Sequence, residues 1–154
     1  MPIRPVQTGA AIQQAVDRRL NALYNALTNV LIYAGEEVVK YARDPNRKRY
    51  KDRTGNLTSS IGYVVLRDGK VMQESDFTPV RGDASAKGAK LSGSKSGREF
   101  LKKLIAENNE GLVLIVVAGM PYAAYVEAMG LDVLDSAEIK AGEIVKRMLN
   151  KLRF

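Results

Sequence analysis

"TGNLTSSIGYVVLRDGKVM", residues 54–72, runs from a turn into a strand and back out through a hairpin. Thr54 and Asn56 suit the turn, Leu57–Ser60 fit a short helical turn, and Ile61–Leu66 is rich in residues that favour a pleated surface. Asp68-Gly69, between "YVVLR" and "KVM", is a strong hairpin signal. The tight two-residue turn needs positive φ at both central positions, which these residue types tolerate. An antiparallel strand pair is therefore expected here, and the flanking segments must supply whatever covers it.

N-terminal to the hairpin, residues 11–43 read as one long helix. Ile12, Val16, Leu20, Leu23, Leu27, Val30, Leu31, Ala34, Val38 and Tyr41 recur at steps of three and four, the spacing of one helical face. Thr8 suits the N-cap, residues 1–10 form an arm before the helix, and Asp44-Pro45 ends it. At 1.5 Å per residue such a rod is roughly 50 Å long, more than a domain of this size needs to cover itself. It either packs wholly on its own core or lays part of its length on another subunit. Gly35, in mid-helix, marks a kink or a close approach by a neighbour.

C-terminal to the hairpin, residues 74–97 carry turn formers throughout and few apolar anchors, the pattern of a flexible loop insertion that orders when a partner is present. "GREFLKKLIAENNEG", 97–111, predicts a helix of about three turns with Phe100, Leu101, Leu104 and Ile105 on one face. "LVLIVVA", 112–118, is an unbroken apolar strand. Strands with one wet face alternate, so this one is expected either at the centre of the sheet with helices on both sides or under a second chain. "LDVLDSAEIKAGEIVKRMLNKLRF", 131–154, gives a short extended piece and a last helix, with Asp135 as N-cap and Glu138 completing a capping box. Its apolar stripe is Ala137, Ala141, Ile144, Val145, Met148, Leu149 and Leu152.

The composition narrows the function. The 154 residues are 45% apolar and 27% charged, and fit a single globular domain, 1–154. No apolar run approaches the roughly 20 residues that span a bilayer, and the N-terminus lacks the apolar core of a secretory signal. A cytoplasm, or a particle assembled in one, is the expected location, with no membrane partner. Cysteine and histidine are absent, which removes disulfides, structural zinc, thiol nucleophiles and imidazole acid–base chemistry together. Neither enzymatic activity nor a cofactor is expected. The net charge of +7 suits a polyanionic neighbour or serves solubility.

Two stretches stand out as sites. In "RDPNRKRYKDRTG", 43–55, Arg47, Lys48, Arg49, Lys51 and Arg53 form a basic loop with one interleaved aromatic, Tyr50. Such a loop either sits solvated or touches DNA phosphates without reading sequence. In "PYAAYVEAMG", 121–130, a short helix is expected after Pro121, with Tyr122, Tyr125 and Met129 on nearby turns. Aromatic residues and methionine favour the centres of interfaces. Ala123, Ala124 and Ala128 admit another backbone, and Glu127 either caps or pairs with an arginine of a neighbouring subunit. The subunit interface is accordingly read as Tyr122, Tyr125, Glu127 and Met129, against the plainer reading that the tyrosines finish the chain's own core.

Together, "DRTGNLTSSI" (52–61) and "MPYAAYVEAMG" (120–130), between a long first helix and a last one, resemble the tail-completion and minor tail proteins of long-tailed bacteriophages. Thr54, Gly55, Leu57, Ser60 and Ile61 match one element of that pattern; Tyr122, Ala123, Tyr125, Val126, Glu127 and Gly130 match the other. The resemblance covers roughly residues 10–73 and 111–154. It implies an α+β fold, a small and mostly antiparallel sheet carrying the long N-terminal and the C-terminal helix. It further implies a structural protein of the virion neck, a homo-oligomeric ring, commonly a hexamer, with genomic DNA in its lumen held without regard to sequence. Its implied neighbours are the connector or stopper, the tail terminator and the tail tube. A tail terminator ring and a basic architectural DNA-binding protein are the alternatives. A Mg-dependent enzyme using Glu110, Glu127, Asp132, Asp135 and Glu138 is a third, although capping and solvation explain those carboxylates more simply.

Overall fold

The computed structural model describes residue 3, residues 8–47 and residues 50–153. Most of the N-terminal arm, and Lys48 and Arg49 of the basic loop, therefore lie outside the described residues. The elements in order are α1 (Gly9–Arg43), α2 (Asn56–Ser59), β1 (Ile61–Arg67), β2 (Lys70–Glu74), α3 (Gly93–Glu107), β3 (Leu112–Ala118), α4 (Ala123–Ala128) and α5 (Asp135–Leu149). The chain is an α+β protein with long first and last helices on a small antiparallel sheet of strand order β2-β1-β3.

Asp68 and Gly69 take φ of 50° and 79° and close the β1–β2 hairpin, as that dipeptide demands. The sheet lies between two helical layers. On one face Tyr63 and Val65, with Leu112, Leu114 and Val116, pack against Ala34 and Val38 of α1 and Ala137 and Ile144 of α5. On the other, Val64, Leu66, Ile115 and Val117 pack against Leu101, Leu104 and Ile105 of α3 and against Phe77. Phe77 anchors the stretch after β2, where the sequence offered few apolar footholds. Its ring fills the space that side chains at Gly62 and Gly97 would need, and α3 starts at Gly93 rather than at Gly97.

The central strand is β1, and every residue from Ile61 to Leu66 is buried. Of the two placements expected for residues 112–118, this corrects the central one. β3 is apolar throughout because both its faces are covered, yet it is an edge strand bonded only to β1, and most of its residues are only half-buried for want of a neighbour beyond it.

Helix α1 starts at Gly9, with the Thr8 hydroxyl accepting from Ala11 N–H at 3.3 Å. Its first buried residue is Thr28. The C-terminal half therefore belongs to the core, while the N-terminal half overhangs the domain with Ile12, Val16, Leu20 and Tyr24 exposed. Gly35 lies where the ring of Tyr63 meets the helix, and an added Cβ would fall 2.4 Å from that ring. Tyr63 cannot yield, since it is fully buried and its hydroxyl bonds Glu36 at 2.5 Å. Burial and the adjoining Glu36 carboxylate hold that phenol far above its usual range. Gly35→Ala is expected to lower stability by about 1–3 kcal/mol, although alanine gains up to about 1 kcal/mol in helix propensity. Denaturant unfolding with an unchanged m-value checks this.

Candidate functional site

The two motifs that stand some sixty residues apart in sequence meet at one end of the sheet. Ser60, just before β1, takes Gly119 N–H on its carbonyl at 3.1 Å and Met120 N–H on its hydroxyl at 3.3 Å. Asp52 accepts from Thr58 N–H at 2.8 Å, which holds the loop before α2 against that turn. Between them opens a cleft of about 300 Å³, with Leu57, Met120, Tyr122, Val126 and Met129 among its lining and Lys51, Arg53 and Lys87 at its rim. Burial raises the phenols of Tyr50 and Tyr122, and the nearby Asp52 raises them further, so neither is a ready proton donor at neutral pH.

Glu127 turns inward. Its Oε2 accepts from Val133 N–H at 2.7 Å and Leu134 N–H at 2.9 Å, and its Oε1 from Asp135 N–H at 3.0 Å. Leu134 and Asp135 are the N-cap and first residue of α5, where a carboxylate also meets the positive end of the helix dipole, and Val133 lies just before them. The capping box expected from Asp135 and Glu138 is absent: Leu134 is the N-cap residue and gives no side-chain bond. Asp132 adds the next bond, accepting from Ser136 N–H at 2.9 Å. It takes positive φ, 51°, a local cue that only the fold reveals.

Arg47 departs from a solvated, DNA-facing role. Its Nη1 donates to Asp132 at 2.9 Å and to Ser136 at 3.0 Å. Its Nε and Nη2 donate to the carbonyls of Tyr41 and Ala42 at 2.9 and 3.3 Å, and the guanidinium lies over the Tyr41 ring. One side chain thus satisfies carbonyls of the last turn of α1 and ties them to the start of α5. Asp132 and Ser136 are the functional partners that sequence reasoning missed, because the pairing crosses 85 and 89 positions. Lys51 and Arg53 remain exposed.

Of the expected interface residues, Tyr122, Tyr125 and Met129 face solvent, Tyr125 most of all at 69%. Among the described residues no group of three or more acidic side chains is arranged to hold a metal. Glu127 and Asp132 are engaged as above, and the Asp135 carboxyl is raised chiefly by the charge of Glu127. Among those residues no helix is long and apolar enough to cross a membrane. Comparison with protein-family models, curated proteins and solved structures gives no match.

Four substitutions separate structure from surface. Glu127→Ala leaves three backbone donors at and just before the start of α5 without their acceptor and should cost about 2 kcal/mol. Arg47→Ala should cost about 2–3 kcal/mol, since it takes the guanidinium away from a mostly buried Asp132 carboxylate and from the closing carbonyls of α1. Lys51→Glu and Arg53→Glu should stay within about 0.5 kcal/mol. Thermal melts of the four variants decide it; equal losses at all four would refute the division.

Proposed function

We propose that this protein is a structural component of the neck of a long-tailed bacteriophage, a tail-completion or head–tail joining protein that assembles into a ring around the passing genome. The observation that carries the reading is the ridge Ile12, Val16, Leu20 and Tyr24 on the overhanging half of α1, between 43% and 51% exposed. Arg67 of β1 reaches the Tyr24 end of the row, and a row of large apolar side chains left this exposed along a helix marks a contact with another chain. A contact of that helix with a different surface of the next copy is heterologous and closes into a ring when the rotation allows. The meeting of the two phage-like motifs in one turn supports the same reading, because residues matched far apart in sequence then form a single unit.

In such a ring Lys51 and Arg53, with Lys87 beside them, supply point charges for phosphates and no means of reading bases. The neighbours are the connector or stopper, the tail terminator and the tail tube, and the place of residence is the virion. Six copies follow from the resemblance alone.

Val16→Glu with Leu20→Glu should leave the melting temperature unchanged while shifting gel-filtration elution of the concentrated protein to that of a single subunit. A variant that elutes like the wild type would remove the helix ridge from the assembly, and with it the main support for a ring.

A further inference from the structure

We propose that the free edge of β3 pairs with the β3 edge of a second copy about a two-fold axis, joining the two sheets into one. Gly119 N–H bonds to Ser60 carbonyl, and Asp68 N–H to Gly111 carbonyl. With the register Ile61↔Ala118 through Arg67↔Leu112, the hydrogen-bonded pairs are then Gly62 with Val117, Val64 with Ile115, and Leu66 with Val113. The backbone N–H and C=O of Leu112, Leu114, Val116 and Ala118 consequently point away from the sheet.

The two edges are built differently. β2 has five residues, begins with Lys70 and ends with Glu74, and pairs with β1 across a register shift at Val65/Leu66. Short length, terminal charges and a bulge are the devices that stop an edge from recruiting another strand. β3 has seven residues, none charged, and no irregularity in its pairing.

Two clefts adjoin this edge. One, of about 270 Å³, lies between Leu114 and Val116 and the start of α5, at Leu134, Ala137 and Ala141. The other, of about 250 Å³, reaches from Phe100 and Leu104 of α3 past Val116, Val117 and Ala118 to Ala123 of α4 and Leu134 before α5. An added strand along β3 lies beside both and turns alternate side chains to the two faces, the geometry by which strand addition gains specificity. The apolar, alternately outward-facing residues of β3 itself are of the right kind to fill both.

Charge selects the second copy as occupant. A two-fold axis perpendicular to the sheet sets α5 antiparallel to its mate on the same face. Asp135 and Glu138 of each first turn then approach Lys146 and Arg147 of the other's last turn. Full overlap places Leu114 opposite Val116 of the second copy and Ile115 opposite its own counterpart, in a pair without mutual hydrogen bonds. The contact is isologous and uses none of the α1 ridge, so it stands or falls apart from the ring reading.

The chain contains no cysteine, so a single Ile115→Cys reports directly. Opposed residues of this type have Cα atoms about 4.5 Å apart, inside the disulfide range. Oxidation should give a covalent dimer from Ile115→Cys, none from Val113→Cys or Val117→Cys, and the same dimer when Val16→Glu and Leu20→Glu are added. A dimer only from Ile115→Cys mixed with Met72→Cys would show head-to-tail pairing of β3 with β2 and overturn the proposal; so would loss of the dimer on changing α1. In the unmodified protein, exchange of the Leu114 and Val116 amides should slow as concentration rises, with Ile115 slow throughout. Concentration-independent exchange at Leu114 and Val116 would overturn the pairing without any substitution.

Discussion

The burial of β1 on both faces is the constraint from which the rest of the structure follows. Six consecutive positions, Ile61–Leu66, are removed from water, and a strand in that state must have helices above and below and a strand on each side. The hairpin supplies β2 at one side, and β3 returns on the other. α1 and α5 form one cover and α3 the other. Phe77 completes the second cover between two glycines. Among the described residues only three strands are available, so both neighbours of β1 are edges, and the more apolar of the two is left half-covered.

Two charged side chains lock the ends of the first cover together. Glu127 gathers the opening amides of α5, and Arg47 ties the closing carbonyls of α1 to Asp132 and Ser136 at the same helix start. Both convert groups that would otherwise be orphaned helix termini into cross-links between elements. Burial of the Arg47–Asp132 pair makes its geometry matter more than its charge, because a partly buried ion is costly once its partner is removed. With these ends fixed, the surfaces that remain apolar and open are the α1 ridge, the Tyr122–Met129 turn and the β3 edge.

Most local signals were legible, the Asp135–Glu138 capping box excepted, and long-range ones were not. The Asp68-Gly69 turn, the Thr8 cap, the Asp44-Pro45 stop and the short helical turn at Leu57–Ser60 each depend on residues within a few positions, and each is found. Strand order is different in kind. An apolar run such as 112–118 reports that both faces are covered, and it is silent on whether the edges are; hence a central strand and one under a second chain read alike, and β3 is peripheral. The same reason hid the role of Arg47 and left open which helix Glu127 would cap. An arginine among other cations looks like a surface residue until the fold brings Asp132 to it. The open ridge on α1 was readable only as excess length, and the structure locates it in the N-terminal half.

Self-association follows from these uncovered surfaces, and native mass spectrometry of the unmodified protein over a range of concentrations tests it most directly. Assemblies at whole multiples of the subunit mass, growing with concentration, are the result this account predicts. A single subunit at every concentration would contradict it, because the ridge and the β3 edge would then be stable in water without a second copy.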